Sequence, residues 1–251
     1  MTSSTSPSTP TIALIAAMPM ELGALARKLE LTAAGPFLVG RHHGATIVAA
    51  VGGVGAQRCT AALEQLIEQH EPTQIINIGI AGGLAPSPRA GDVIDFDRVM
   101  NETGQTIDLQ TDAPSGQTLL TVHRAADTPA KKRQLHEQYG AAAVDMESFY
   151  LARLAADRGI PFRVIRAISD PAETPLPSTT GQWLRSDGSV NVGRAVRHLA
   201  AHPSMLPQML RLRRDTRLAI ASLTDHTCRL LTTWPANSPT RPATTPLPTE
   251  D

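Results

Sequence analysis

The sequence predicts an α/β protein, a three-layer α/β/α sandwich with a mixed, mainly parallel central sheet. Three observations carry that expectation. Short apolar runs alternate with stretches of helical spacing over about 160 residues, the pattern of repeated β-α units. The runs pass into the helical stretches through glycine or proline, with little chain between them. Aromatic residues make up only 3% of a chain that is 41% hydrophobic, so small and branched side chains must fill most of the core. Close-packed sheets flanked by helices have interiors of that kind.

Residues 1–10 are rich in Ser, Thr and Pro and are expected to form a disordered leader; they lack the basic and apolar regions of a secretory signal. The run TIALIAA at 11–17 fits a buried strand. Pro19 can open a helix, and Leu22, Leu25, Ala26 and Leu29 continue it at helical spacing. Residues 45–51 form the next strand, and Gly52, Gly53 and Gly55 turn it into a helix over 56–69. Strands follow at 74–80, with the loop AGGLAP behind it, and at 93–99. The polar segment 101–117 is expected to cross a sheet edge or cover a cleft. Residues 118–122 and 141–146 are further strands, and Glu147 opens a helix that Gly159 and Pro161 end. Residues 162–168 read as an interior strand. From 170 to 187 Pro, Thr and Ser predominate without a period, which predicts a long loop of the kind that builds lids and substrate walls. Helices are expected at 190–200 and 206–223, and a disordered tail at 233–251. One domain over 11–232 accounts for the whole pattern.

Composition narrows the function. Lys and Arg number 23, as do Asp and Glu, so no net charge argues for a nucleic-acid partner. Cys59 and Cys228 are too few for a disulfide scaffold or a cysteine-built zinc site, and the histidines show no metal-ligand spacing. No metal and no organic cofactor is therefore expected. No run reaches the roughly 18 to 20 apolar residues that span a bilayer. Ser148 and Ser169 lack the GxSxG elbow of a serine hydrolase.

In open parallel sheets ligands bind beyond the carboxyl ends of the strands. Glu21, Arg58, Glu147, Arg166, Ser169 and Asp170 all map to that edge. Glu147, next to Met146, can accept hydrogen bonds from a vicinal diol such as ribose, or can simply be an acid favoured in the first turn by the helix field. Asp170 can protonate a leaving group if its surroundings raise its pKa, or can cap a turn before Pro171. Arg166 can hold an anion or anchor a buried ion pair. The GGVG turn, with Gly53, can point N–H groups at an anion, or can serve a tight turn and close helix packing; Gly82 carries the same two readings. Asp145 is expected to face away or to support the loop.

Four motifs in order resemble those of the nucleoside phosphorylases and their nucleosidase relatives: Ala17-Met18-Pro19-Met20-Glu21, Asn77 to Leu84, Val144 to Ser148, and Arg166 to Asp170. The resemblance implies a nucleoside phosphorylase-like fold and cleavage of an N-ribosidic bond. It also implies that Glu147 binds the ribose hydroxyls, Asp170 protonates the base, Ser169 orients Asp170 or the base, and Glu21 activates water. Arg166, with Arg58, Gly53 and Gly82, would serve the nucleophile or a phosphate site, inorganic phosphate then being co-substrate. Two departures stand out: Ile80 replaces a small hydroxyl residue, and the aromatic segment that contacts adenine has no counterpart around Val122-His123-Arg124. A narrower likeness, to hopanoid-biosynthesis-associated phosphorylase-like enzymes, rests on Val144 to Ser148, Ile168 to Ala172, Thr128 to Lys132, and His202-Pro203 before an arginine-rich helix. It implies adenine release from adenosylhopane, leaving a ribosyl or phosphoribosyl hopanoid.

The expected partner is thus a small-molecule nucleoside or an adenosylated hopanoid, handled by a cytoplasmic homo-oligomer. Trp183 and Leu184 would give the long loop an apolar mouth. Arg211, Arg213, Arg214 and Arg217 on the helix at 206–223 would suit peripheral contact with the inner membrane face, or form an ordinary solvated helix face.

Overall fold

The computed structural model describes residues 9–111, 114–176 and 205–233. Through the middle of its sheet run four parallel strands, β1 (Thr11–Ala16), β4 (Ala45–Val51), β5 (Gln74–Gly83) and β11 (Phe162–Asp170). β1 lies between β4 and β5, and β11 flanks β5 on its other side. Every residue of β11 is buried, as the continuous apolar run of an interior strand requires. Its two arginines are admitted because each has a carboxylate partner, Asp95 for Arg163 and Asp145 for Arg166.

The helices cover both faces. α2 (Ala56–His70) and α4 (Ser148–Asp157) share one core with Ala13, Ile15, Val48, Val164 and Ile168. α1 (Pro19–Lys28) and the last helix, α5 (Leu206–Thr233), share the other with Ile12, Leu14, Ile76, Ile78 and Ile165. Alternate residues of β1 thus enter opposite cores, the period-2 signature of a strand with two buried faces. Full burial of each such aliphatic side chain stabilises by about 1.5–3 kcal/mol relative to exposure. α3 (Pro129–Tyr139) adds a third cluster, in which Leu135 meets Leu120, Val122 and Val144.

Several sequence expectations change. The single strand at 93–99 is two: β6 (Val93–Phe96) pairs antiparallel with β11, and β7 (Arg98–Asn101) pairs parallel with β9 (Thr118–Thr121). Asp97 at the break accepts backbone N–H groups of Ser115, Gly116 and Gln117, so the chain changes partner around a turn held by one carboxylate. The polar segment that follows contributes β8 (Thr106–Asp108), paired with β7. A hairpin that the sequence reading passed over, β2 (Thr32–Ala34) and β3 (Phe37–His42), extends the sheet beyond β4. β5 continues through Gly82 and Gly83, where β10 (Ala143–Asp145) pairs antiparallel with it, so Gly82 belongs to a strand and not to a phosphate-cradling loop. α5 runs ten residues past its expected end at 223. The expected helix at 190–200, the leader up to residue 8, the tail from 234, and Trp183 and Leu184 lie outside the described residues.

Candidate active site

Glu21 occupies the third position of α1, just past β1. It is 2% exposed. Its Oε2 accepts the Met18 N–H at 2.7 Å and its Oε1 the Ile80 N–H at 2.9 Å, so two backbone amides fix the carboxylate. The first bond closes half of a capping box. Ile80 therefore serves the site with its main chain, whatever its side chain has lost. Gly79 makes room for the group, since a Cβ there would lie 2.9 Å from Glu21 Oε1 and 3.0 Å from Arg166 Nη1. Burial raises the Glu21 pKa above its ordinary value, and the amide of Ile80 and the charge of Arg166 oppose that rise.

Glu147 reaches the same cavity differently. It follows β10, which runs back along the end of β5 and is not a parallel neighbour of it. Glu147 Oε1 accepts the Gly55 N–H at 2.8 Å, and Oε2 accepts no hydrogen bond from the described residues. The glycine turn after β4 thus aims a backbone donor at an anion, and the anion is the protein's own carboxylate. Gly55 holds φ at +97°, a conformation that other residues rarely adopt. Gly53, also at positive φ, is buried and does not line the cavity. Burial, then the nearby Asp145 charge, push the Glu147 carboxyl up to about 7; the Gly55 N–H and Arg166 pull the other way.

Asp170 ends β11 and is 4% exposed. Ser169 Oγ donates to its Oδ1 at 2.5 Å. Its Oδ2 meets Lys132 Nζ at 2.6 Å. Gly82 leaves space for this carboxyl, because a Cβ there would stand 3.1 Å from Oδ2. Burial raises the Asp170 pKa, against the charge and hydrogen bond of Lys132 and the hydroxyl of Ser169.

These three carboxylates and Asp145 line one cavity with Met18, Val54, Ile80, Val122, Val144, Met146 and Leu176. Arg166 does not line it. It stands behind, donating to Asp145 Oδ2 at 2.8 Å and to Ser148 Oγ at 2.8 Å. Asp145 also accepts from Thr121 Oγ1 at 2.8 Å and from Ser148, tying β9, β10, β11 and the start of α4 together. It thus supports the site from a buried network, as one of its two sequence readings had it. Arg58 is exposed and, with Gln57 and His123, lines an adjoining hollow that shares Val54, Val122 and Met146 with the carboxylate cavity. Among the described residues lining the carboxylate cavity there is no lysine or arginine.

Lys132 is the buried residue at the site to which the sequence motifs gave no role. It lies on α3, which carries no regular apolar stripe, and its side chain is fully buried. The stretch does contain readable helix signals: Thr128 Oγ1 accepts the Lys131 N–H, Pro129 follows at the first position, and Gly140 closes the helix at φ +64°. Those signals locate a helix but do not show which lysine is buried. No cluster of three or more His, Cys, Asp or Glu suited to a metal occurs among the described residues.

Comparison with known proteins agrees with this geometry. The model of the phosphorylase superfamily matches residues 11–125 and 108–201. The chain is 27% identical to the 5'-methylthioadenosine/S-adenosylhomocysteine nucleosidase of Marinomonas sp. (strain MWYL1), over 69% of this chain and 91% of that protein. In fold it resembles the S-adenosylhomocysteine nucleosidase of Streptococcus pyogenes in complex with 5-methylthiotubericidin. That match has a TM-score of 0.69 and 20% identity, over 92% of this chain and 99% of that one. The Helicobacter pylori 5'-methylthioadenosine/S-adenosyl homocysteine nucleosidase superposes with a TM-score of 0.68 and 15% identity, over 89% of this chain and 98% of that one. With four buried carboxyl groups, those of Glu21, Asp145, Glu147 and Asp170, in one cavity at the sheet edge, this chain belongs to the phosphorylase superfamily and is an enzyme of the nucleoside phosphorylase and nucleosidase type, cleaving an N-glycosidic bond.

Proposed function

We propose that the protein is a nucleosidase that hydrolyses the N-ribosidic bond of a 5'-substituted adenosine, of the methylthioadenosine and adenosylhomocysteine class. The observation that carries this reading is the convergence of Glu21, Glu147 and Asp170 on one largely apolar cavity. As the bond from ribose to base breaks, its electron pair leaves with the base and positive charge develops on the sugar. Asp170 gives its proton to the base, which makes a poor leaving group a better one. Glu147 takes hydrogen bonds from the ribose hydroxyls and, with Glu21, favours the positive sugar. Water adds to the anomeric carbon and passes a proton to Glu21.

Water suits this cavity better than phosphate. A phosphate dianion needs cationic or several N–H partners. Here no lysine or arginine lines the cavity among the described residues, Arg166 behind it is engaged by Asp145, and the carboxylate of Glu21 would repel a second anion. The Marinomonas and Tolumonas relatives, each named as a 5'-methylthioadenosine/S-adenosylhomocysteine nucleosidase, support the same choice.

Adenosylhopane is the second reading. The apolar lining formed by Met18, Val54, Met146 and Leu176 supports a substrate with a large apolar 5' group. One assay separates the two. Purified protein is offered 5'-methylthioadenosine, S-adenosylhomocysteine and an adenosylated hopanoid, each with and without phosphate, while adenine and the sugar product are quantified. Adenine and a free 5-substituted ribose from the soluble nucleosides, without phosphate, are expected. Release that depends on phosphate and yields a sugar 1-phosphate would overturn hydrolysis. Release from the hopanoid alone would move the substrate to the second reading.

A further inference from the structure

Lys132 is fully buried against the active-site wall and is bound by oxygen alone. Its Nζ lies 2.6 Å from Asp170 Oδ2, 3.1 Å from the Asp170 carbonyl, 3.0 Å from that of Pro171 and 3.1 Å from that of Thr174. Three N–H groups are thus shared among four acceptors, three of them carbonyls and the fourth the Asp170 carboxyl, which becomes an anion when it gives up its proton. The carbonyls alone could be latched by a neutral donor, such as a glutamine amide, at a far smaller desolvation cost than an ammonium incurs. A cation at this place calls for an anion.

Resting on the nucleosidase reading above, we propose that Lys132 is the positioning residue for protonation of the base: its ammonium holds the Asp170 carboxyl in place and is the counter-charge beside which the Asp170 carboxylate forms. The proton balance is simple. The Asp170 O–H bond breaks as the N–H bond of the departing base forms, the base keeps the glycosidic electron pair, and the carboxylate left behind is already 2.6 Å from Lys132 Nζ. The attraction is stronger after proton transfer than before it, so it lowers the barrier and not merely the ground state.

No other described charge takes this position. Glu21 and Glu147 lie on the same cavity and would oppose ionisation of Asp170, as would Asp145 next to them. Arg166 is engaged by Asp145 and Ser148. From the loop after β11, Glu173 is exposed; beside α3, Asp127 is half-buried and its carbonyl accepts the Leu176 N–H. Lys131 and Arg133, the sequence neighbours on α3, are exposed. Among the described residues only Ser169 shares the Asp170 carboxyl with Lys132, and it is neutral.

The test compares Lys132→Met, Lys132→Gln and Lys132→Arg with the parent in pH profiles of adenine release from 5'-methylthioadenosine. The glutamine retains a donor for the three carbonyls, so it reads the charge even where the methionine variant fails to fold. Loss of the charge is expected to lower kcat about 100-fold with little change in KM. It is also expected to move the alkaline limb up by about one pH unit or more, because an unpaired buried carboxyl holds its proton longer. Arginine should restore most of kcat. In an Asp170→Asn background, Lys132→Gln should change kcat less than about threefold, since the lysine acts through that carboxyl. A loss that is uniform across pH, or equally large in the Asp170→Asn background, would overturn the proposal. Infrared titration of the Asp170 carboxyl, identified by its disappearance in Asp170→Asn, gives a readout independent of turnover. Its midpoint should lie lower in the parent than in Lys132→Gln, and equal midpoints would overturn the role. A parent protein that releases no base from any nucleoside would sink the nucleosidase reading alone, and the infrared comparison would still decide on Lys132.

Discussion

Glu147, proposed to bind ribose, shows how a buried carboxylate can be held near the midpoint of its titration. Burial and Asp145 push its carboxyl up from 4.5 to about 7, while the Gly55 N–H and Arg166 pull it back. Between those two pH values the folded protein keeps a proton that the unfolded chain has already lost. Stability from this group is therefore fully present below pH 4.5 and is lost as pH rises through about 7. Glu147→Gln removes the titration and keeps an acceptor for Gly55. It is expected to raise stability by on the order of 2 kcal/mol at pH 8, a Tm gain of roughly 4–8 °C, and to change it little at pH 4. Thermal denaturation across pH checks this, and a Tm difference that ignores pH would contradict it. The same substitution should lower kcat/KM and abolish an acid limb near pH 7, because ribose hydroxyls donate best to the ionised group. The position of Glu147 was legible in the sequence, as an acid where an apolar run meets a helix. Its Gly55 partner was not, since the two are 92 residues apart.

At the scale of elements, the glycines after β4 carry two tasks that the sequence left undivided. Gly52 serves packing: a Cβ there would lie 2.7 Å from the Cα of Cys59 and 2.6 Å from its Sγ, so α2 rests directly on the β4 backbone. Gly55 serves the site through its N–H. Gly52→Ala must push the first turn of α2 away from the sheet, because a backbone atom cannot swing aside as a side-chain end can. Overpacking of this kind costs about 1–3 kcal/mol, equivalent to a Tm lower by roughly 2–12 °C. The shift should also displace Gly55 from Glu147 and raise KM for the nucleoside several-fold. A Gly52→Ala protein with the parent's Tm and KM would show that the helix start is not set by this contact. α3 gives the opposite lesson about legibility. Its ends are written in Thr128, Pro129 and Gly140, yet its sequence, PAKKRQLHEQY, buries only Lys132 and Leu135, so apolar periodicity could not reveal it.

For the whole molecule, the parallel core was legible because β1, β4, β5 and β11 are buried strands with apolar runs that their flanking helices interrupt. The antiparallel additions were not, since β2, β3, β8 and the turn at Asp97 depend on pairings and on one carboxylate that no local period encodes. The arginine-rich helix is a third case, and its surface is the part of the molecule that the substrate class bears on. Arg211 and Arg214 both reach the buried carboxylate of Asp215, which accounts for half of the charge cluster as ordinary packing. Arg213 and Arg217 have no ion pair with the described residues, and Leu206, Leu210 and Leu218 are 44%, 56% and 50% exposed on the same helix. Leu206, Leu210 and Leu218 repeat at multiples of four and share one side of α5, with arginines around them. If the enzyme takes its substrate from a lipid surface, that side is the one suited to it, at about 1 kcal/mol per arginine near anionic headgroups. Sedimentation with vesicles should then show binding to anionic but not to neutral lipid. The binding should weaken as salt rises, and Arg213→Glu with Arg217→Glu should abolish it while adenine release from soluble nucleosides stays intact. Binding unchanged by the double charge reversal, or equal on neutral vesicles, would remove α5 from any membrane role and leave Arg213 and Arg217 as a solvated helix face.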